Sequence, residues 1–371
     1  MASFRNVWLL FGAAIASVGM PKPVAGQDSL SHTIFVHGAG GYGQYPWGAA
    51  INSLLGSYTF SQGYLQADVP NATSIWAWYQ YLDDDVKPDT SIMVGYSLGG
   101  VASRDLAQHE DIGGLITVGS PHTGAPIAAS ISSASTLIGY MEGDISLILA
   151  VAFGEAIEAF SPLGESLFWD AVAVMDSWIY DWFNYFVNMG YGFLDNFPSG
   201  FQTDLPPSSS YMGQLPTGLA NSYTLSVAMW PGHMGGPLAL FMSQTAADDI
   251  GEDLAYWGDQ LAWTAYSAQS YIDWGHQHAY AVYDALFAAA ELGADMVNFP
   301  VYWCGAVTSG NVWGSCSFSS DGFIPTARQT FSGVTQNTPI NDGPSHTYEL
   351  VNGSVISAVG ARLCAISPDC Q

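Results

Sequence analysis

Ser97 lies at the centre of the pentapeptide Gly-Tyr-Ser-Leu-Gly, residues 95–99 of a 371-residue chain. A serine hydroxyl becomes an effective nucleophile when a sharp turn presents it and a general base removes its proton. The apolar run at 91–94 favours a buried strand, and residues 101–108 favour a helix. Glycine on each side of the turn lets the strand and the helix approach closely. The pattern therefore predicts that Ser97 is a nucleophile on a strand–turn–helix elbow.

His346 is the candidate general base. In proteins built around such an elbow the chain order is serine, then the acid, then histidine, each on a loop after a later strand. The next histidine upstream is His278, and His346 lies in a Gly/Pro-containing loop after a predicted strand at 330–334. We therefore expect His346 to accept the proton of Ser97.

Two aspartates are candidates for the carboxylate that orients His346. Asp321 begins the sequence Asp-Gly-Phe-Ile-Pro after a predicted strand at 300–304, whereas Asp342 lies on the same loop as His346. An acid on a separate loop can approach the imidazole from behind, so we prefer Asp321 and keep Asp342 as the alternative. Asp342, followed by glycine, is also typical of a turn.

Three motifs occur in order along the chain: His-Gly-Ala-Gly-Gly at 37–41, Gly-Tyr-Ser-Leu-Gly-Gly at 95–100 and Gly-Ser-Pro-His-Thr-Gly at 119–124. Together they resemble the α/β-hydrolase lipases and esterases, in particular the branch of bacterial triacylglycerol lipases and inositol deacylase-like proteins. The resemblance covers about 30–126 and 298–350. It implies an α/β-hydrolase fold, with a mostly parallel sheet, helices on both faces and a large helical lid or cap.

The resemblance also implies roles for single residues. A glycine-rich loop after the first strand, at 33–36, can direct backbone N–H groups at an oxyanion. By position, the two donors are the N–H groups of Ala39 and Leu98, with Gly40 as the alternative to Ala39. In the family the loop that contains His122 lies beside the site, so we expect His122 to be structural.

The implied function is a carboxylic ester hydrolase that acts through an acyl-enzyme formed on Ser97. An acyltransferase or a thioesterase with the same triad is the alternative enzyme, and a non-catalytic lipid-binding protein of the same fold is the alternative of another class. We expect no cofactor and no metal. The acidic turn at 83–85 lacks the glycine of a calcium loop, and His276 and His278 would face apart on a helix.

The charge balance restricts the partners. Lys and Arg number 6 against 32 Asp and Glu, a formal net charge of −26. Such a surface repels phosphate backbones and anionic headgroups, which argues against nucleic acid as a partner. A neutral small-molecule or lipid ester, met at a transient lipid interface, is compatible with it. The sequence leaves the oligomeric state open.

The organisation of the chain follows from its composition. Residues 1–26 contain Arg5, an apolar run and small residues near Gly26, a pattern that predicts a cleaved signal peptide and a secreted or periplasmic protein. Residues 27–126 and 296–371 form the predicted core, which ends in a helix at 354–364. The aromatic-rich stretch at 127–295 favours a helical lid or cap inserted between them.

The four cysteines lie in the last quarter of the chain: Cys304, Cys316, Cys364 and Cys370. An even number of cysteines in an exported chain suggests disulfides. We favour the pairs Cys304–Cys316 and Cys364–Cys370, because short loops close easily.

Overall fold

A computed structural model describes most of the predicted core. The described residues are 33–39, 47–57, 64–67, 74–86, 88–130, 199–228, 302–311, 314, 319–341 and 343–366. The predicted signal peptide, most of the predicted insertion, Gly40 and Asp342 lie outside them.

Six parallel strands form one sheet in the described part of the chain, in the order β2-β1-β3-β4-β5-β6. The strands are β1 (Thr33–Val36), β2 (Tyr64–Ala67), β3 (Ile92–Tyr96), β4 (Gly114–Val118), β5 (Ser222–Val227) and β6 (Gln336–Ile340). Every residue of β1, β3 and β4 is buried, as expected for strands covered on both faces. The predicted α/β class with a parallel sheet is confirmed.

Helices connect and cover these strands. They are α1 (Gly48–Leu55), α2 (Ile75–Tyr81), α3 (Leu98–His109), α4 (Ser199–Asp204), α5 (Ser210–Gln214), α6 (residues 302–309) and α7 (Gly353–Ile366). A π-helical turn extends α2 over Leu82–Val86, and 3-10 turns occupy Pro126–Ala129, Thr326–Arg328 and His346–Val351. Among the described residues, no helix combines the length and the apolar character needed to cross a membrane.

The apolar core is divided by the sheet. On one face, alternate residues of β1, β3, β4 and β5 pack against α1 and α7; the cluster includes Phe35, Val94, Ile116, Leu225, Ile51, Leu54, Val355 and Val359. The helix α3 contacts β1, β3 and β4, and Gly95, which alternates with Val94 along β3, faces it directly. Helices therefore cover both faces of the sheet around the end of β3.

Two predicted strands near the C-terminus are wrong. Residues 302–309 of the apolar run that begins near 300 form the helix α6, and residues 330–334 are irregular and precede β6. A short apolar run suits a buried helix as well as a strand, so its pattern could not distinguish the two. The final helix, by contrast, is confirmed, since α7 contains the predicted range 354–364.

The strand β5 was missed. It lies inside the stretch 127–295 that was predicted to be a helical insertion, yet it pairs with both β4 and β6. The core sheet therefore extends into this stretch at Ser222–Val227. The rest of the predicted insertion, apart from 127–130 and 199–228, lies outside the described residues.

Candidate active site

Ser97 occupies the turn between β3 and α3. Its backbone has φ 52° and ψ −126°, a conformation that costs a non-glycine residue about 1–3 kcal/mol. A Cβ on Gly95 would lie 2.4 Å from the Cα of Gly100, and one on Gly99 would lie 2.2 Å from the carbonyl oxygen of His37. Because no side chain fits at either position, the two glycines allow the strand, the helix and the first loop to meet around Ser97.

The three predicted triad residues lie in hydrogen-bond contact. The Oγ atom of Ser97 is 2.8 Å from Nε2 of His346, and Nδ1 of His346 is 2.8 Å from Oδ2 of Asp321. All three side chains are buried, and Asp321 is fully enclosed. In the tautomer with a proton on Nδ1, the imidazole donates to Asp321 and accepts from the Ser97 hydroxyl.

Backbone and side-chain donors surround the Asp321 carboxylate. Its Oδ1 accepts from the N–H groups of Phe323 at 2.9 Å and Ile324 at 2.6 Å. Its Oδ2 accepts from Nε2 of Gln329 at 3.0 Å as well as from His346. Four donors therefore satisfy a charge that would be costly to bury alone.

The loop that carries Asp321 is anchored by a helix rather than by the strand that the sequence predicted. Nε1 of Trp303, on α6, donates to the carbonyl of Gly322 at 2.8 Å. The backbone N–H of His346 donates to the carbonyl of Asp321 at 2.9 Å, so the acid loop and the histidine loop also bind each other directly.

Tyr96, which the sequence identifies only as a residue of the Ser97 motif, contacts His346 in two ways. Its hydroxyl donates to the backbone carbonyl of His346 at 2.5 Å. Its ring stacks on the imidazole, with 5.1 Å between the centroids and 29° between the planes. Tyr96, the residue before Ser97, therefore contacts both the backbone and the ring of the candidate base.

The two predicted oxyanion donors are the residue that follows Ser97 and a residue of the first loop. Leu98 is the first residue of α3, and the N–H groups of a first helical turn lack partners within the helix. Ala39 lies in the turn after β1, next to Gly38, where a Cβ would approach the Cβ of Ser97 to 2.8 Å. The first loop is thus in close contact with Ser97.

Glu349 brings a second carboxyl group to the triad. It is fully buried, and its Oε1 is 3.7 Å from Nδ1 of His346, beyond hydrogen-bond range. Burial raises the pKa of Glu349 to about 8, although the neighbouring His346 opposes this shift. For His346, burial lowers the pKa, but the charges of Asp321 and Glu349 outweigh burial and raise it overall.

Asp321, His346 and Glu349 are also a geometric candidate for a metal site, since one ligand atom of each lies within 4.8 Å of the others. Both ring nitrogens of His346 are, however, already at hydrogen-bond distance from Ser97 and Asp321. A metal would have to displace these contacts. In this arrangement the contacts of His346 are those of a hydrogen-bond relay.

His122 lies apart from this hydrogen-bond chain. Its Nε2 pairs with Oγ1 of Thr117 at 2.8 Å, and its carbonyl accepts from Arg104 at 2.6 Å. Burial lowers the pKa of the His122 ring well below its usual range. These contacts place His122 in the packing between β4 and α3, the structural role expected for it.

Of the four cysteines, Cys304 and Cys364 lie within the described residues, and neither is a free thiol. Cys316 and Cys370 lie outside them. The pairs Cys304–Cys316 and Cys364–Cys370 therefore stay a prediction.

The chemistry of the site follows from its continuous chain of hydrogen bonds. Such a chain of hydrogen bonds can remove the proton of the Ser97 hydroxyl and stabilise the imidazolium that results.

No family model matches the protein chain, and no curated protein matches it significantly. The function is therefore argued from the site and its three motifs.

Proposed function

We propose that the protein is a secreted carboxylic ester hydrolase of the α/β-hydrolase type, lipase-like or esterase-like, with a serine–histidine–aspartate triad. One observation carries this proposal: Ser97 Oγ, both nitrogens of His346 and Asp321 Oδ2 form a relay with two contacts of 2.8 Å. The positive φ of Ser97, between a parallel strand and a helix, supports the same assignment.

The reaction proceeds in two halves. His346 takes the proton of Ser97 as Oγ attacks the ester carbonyl, and then gives that proton to the departing alcohol oxygen. Water next attacks the acyl-enzyme, again losing its proton to His346, which returns it to Ser97 as the acid leaves. The N–H groups of Leu98 and Ala39 receive the oxyanion in both halves, and one such donor is typically worth about 10²–10³ in rate.

The substrate is proposed to be a neutral, lipidic ester. A chain with a net charge of −26 repels anionic substrates, whereas a neutral ester meets no such barrier. The aromatic segments of the stretch 127–295, apart from β5, are proposed to form a lid or cap above the site. The N-terminal pattern at 1–26 supports export.

Hydrolysis of p-nitrophenyl esters from acetate to palmitate tests the proposal. Ser97→Ala should lower the rate by several orders of magnitude and abolish labelling by a fluorophosphonate, with the fold intact. Ser103→Ala is the matched control, because Ser103 is a buried serine of α3, the helix that follows Ser97, and in the described structure it donates to the carbonyl of Gly99. Equal loss in both variants, or none in Ser97→Ala, would overturn the assignment.

Two further measurements separate the remaining alternatives. An added alcohol that outcompetes water for the acyl group would indicate a transferase, and hydrophobic ligand bound without turnover would indicate a carrier.

A mobile lid predicts a jump in rate where a long-chain ester passes its solubility limit. A smooth saturation curve with acetate preferred would leave a fixed cap.

A further inference from the structure

The side chain of His37 has no part in the mechanism above, although it begins the first loop. It is buried, and its Nδ1 lies 2.6 Å from the carbonyl oxygen of Gly38, the next residue along the chain. Because a carbonyl oxygen accepts hydrogen bonds and cannot donate one, Nδ1 carries a proton and donates it to this contact. The imidazole therefore holds the peptide group that joins Gly38 to Ala39.

That peptide group contains the N–H of Ala39, one of the two proposed oxyanion donors. In a trans peptide the C=O and the N–H point in opposite directions, and the described residues include no cis peptide bond. The Gly38 carbonyl is directed at the buried His37 ring, whereas Ala39 is exposed. The N–H of Ala39 is thus directed away from the buried ring, toward the exposed side of the loop.

The backbone at Gly38 needs such a contact to have one orientation. A Cβ at this position would lie 2.8 Å from the Cβ of Ser97 and 3.1 Å from two ring atoms of Tyr96, so glycine permits the close approach to Ser97. Glycine also has access to more backbone conformations than any other residue. A hydrogen bond to the Gly38 carbonyl selects one of them.

Two further aromatic rings hold the imidazole itself. The ring of Trp78, on α2, meets the His37 ring edge to face, with 5.1 Å between the centroids and 73° between the planes. Phe201, on α4, meets Trp78 in the same way at 6.1 Å and 82°. Both residues are buried. Contacts from α2 and α4 therefore restrain the ring that donates to Gly38.

We propose that His37 is a positioning residue for ester hydrolysis, whose Nδ1–H holds the Gly38–Ala39 peptide so that the N–H of Ala39 faces the oxyanion. This inference rests on the proposed function, because it gives His37 a role only through an oxyanion donor. It assigns the residue an effect on the backbone rather than contact with the substrate.

Two substitutions separate the donor of His37 from its ring. His37→Phe keeps a ring against Trp78 and removes the donor. His37→Asn removes the ring but keeps an N–H donor, since Nδ2 of asparagine is bonded to Cγ as Nδ1 of histidine is. With a soluble p-nitrophenyl ester, kcat should fall by about 10–10² in His37→Phe, less than the about 10²–10³ typical of losing an oxyanion donor outright. In His37→Asn it should stay close to the wild-type value.

A role in packing alone predicts the reverse order, because phenylalanine retains the ring contact and asparagine does not. Rates are compared at equal concentrations of folded protein, since the loss of the ring contact should move the denaturation midpoint of His37→Asn to lower denaturant concentration. Should His37→Asn fail to fold, His37→Phe decides alone: a fall in kcat supports the inference, and wild-type kcat overturns it.

His109→Phe is the matched control. The ring of His109 also packs against an aromatic residue of α2, Tyr79, with 4.9 Å between the centroids, but it lies at the opposite end of α3 from Ser97. The same substitution there should leave kcat at the wild-type value. An equal fall in His109→Phe and His37→Phe would overturn the inference.

An alkyl trifluoromethyl ketone gives a second readout, because its tetrahedral adduct with a serine bears an oxyanion like that of the transition state. Its inhibition constant should rise in His37→Phe by the factor by which kcat/KM falls, and should be nearly unchanged in His37→Asn. An inhibition constant that is unchanged in His37→Phe would contradict a role at the oxyanion.

These measurements separate the inference from the proposed function. If the wild type is active and Ser97→Ala is not, but His37→Phe retains wild-type kcat or folded His37→Asn loses as much as His37→Phe, the role of His37 is refuted and the hydrolase proposal stands. If the wild type neither hydrolyses esters nor binds the ketone, the hydrolase proposal fails and the role of His37 fails with it.

Discussion

Gln329 donates a hydrogen bond from Nε2 to Oδ2 of Asp321 at 3.0 Å, and both side chains are fully buried. The same amide nitrogen lies 3.0 Å from the carbonyl oxygens of Val227 and Ile324. The Oε1 atom of Gln329 accepts a hydrogen bond from the N–H of Val227 at 2.6 Å. One side chain thus joins the candidate acid to its own loop and to the end of β5. The position of the carboxylate is therefore tied to the sheet.

Gln329→Met should uncouple the acid from the sheet while preserving side-chain volume. Each buried group left without a partner costs about 1–3 kcal/mol, so the free energy of unfolding should fall measurably in denaturant titrations. We expect kcat to fall with KM nearly unchanged, because the Asp321 carboxylate loses one of its donors. Gln336→Met, the same change at an exposed position of β6, is the control. A loss of stability with unaltered kcat would show that Gln329 serves packing alone.

Asp321→Asn and Asp342→Asn decide between the two acids considered from the sequence. Asparagine at 321 would favour the wrong tautomer of His346, so kcat should fall by up to about 10⁴. Asp342→Asn should change kcat little. Rates for the two purified variants, compared at equal folded concentration, provide the measurement. The reverse result would make Asp342 the orienting carboxylate.

The parts of the fold that the sequence predicted correctly have strong local signals. The strands β1, β3 and β4 are apolar runs, and Ser97 is bracketed by glycines whose close contacts the structure contains. The strand β6 gave no such signal, because it is polar, half exposed and includes Pro339, which a sheet tolerates at an edge. The strand β5 alternates polar and apolar residues within a stretch dominated by helical patterns.

The residues around the triad were harder to predict, because their partners are distant in sequence. Tyr96 and His346 are separated by 250 positions in the sequence, and Gln329 and Val227, which share hydrogen bonds, are separated by 102 positions. From the sequence alone, Glu349 looks like an ordinary acidic residue near the start of a helix. Its burial against Gly119 is visible only in the folded chain. A motif can identify a nucleophile, but only the folded chain reveals which side chains hold its partners.

Tyr96→Phe should remove the hydrogen bond to the backbone carbonyl of His346 while keeping the ring stack. The buried carbonyl of His346 would lose the hydroxyl that now lies 2.5 Å away, at a cost of about 1–3 kcal/mol. We expect kcat to fall, since the imidazole gains freedom to leave the line between Asp321 and Ser97. Tyr211→Phe is the chemically matched control, because it removes a part-buried hydroxyl hydrogen bond to Asp105 instead. If both variants lose stability and neither loses kcat, the Tyr96 hydroxyl does not position the base.

The stability of the protein should depend on pH through Glu349. Burial raises the pKa of this carboxyl from its ordinary 4.5 to about 8. Between these values the unfolded chain has released a proton that the folded protein still binds, so stability falls as pH rises. The contribution is fully present below about pH 4.5 and is lost as pH rises through about 8.

We therefore expect the stability of the wild type relative to Glu349→Gln to decrease from about pH 5 to about pH 8, as measured by denaturant titration at both values. The general repulsion in this acidic chain acts on both proteins alike, so it cancels in the difference. Glu110→Gln, which removes an exposed carboxyl group at the end of α3, controls for the loss of one negative charge. A difference between wild type and Glu349→Gln that is constant across this range would mean that Glu349 is ionised in the folded protein.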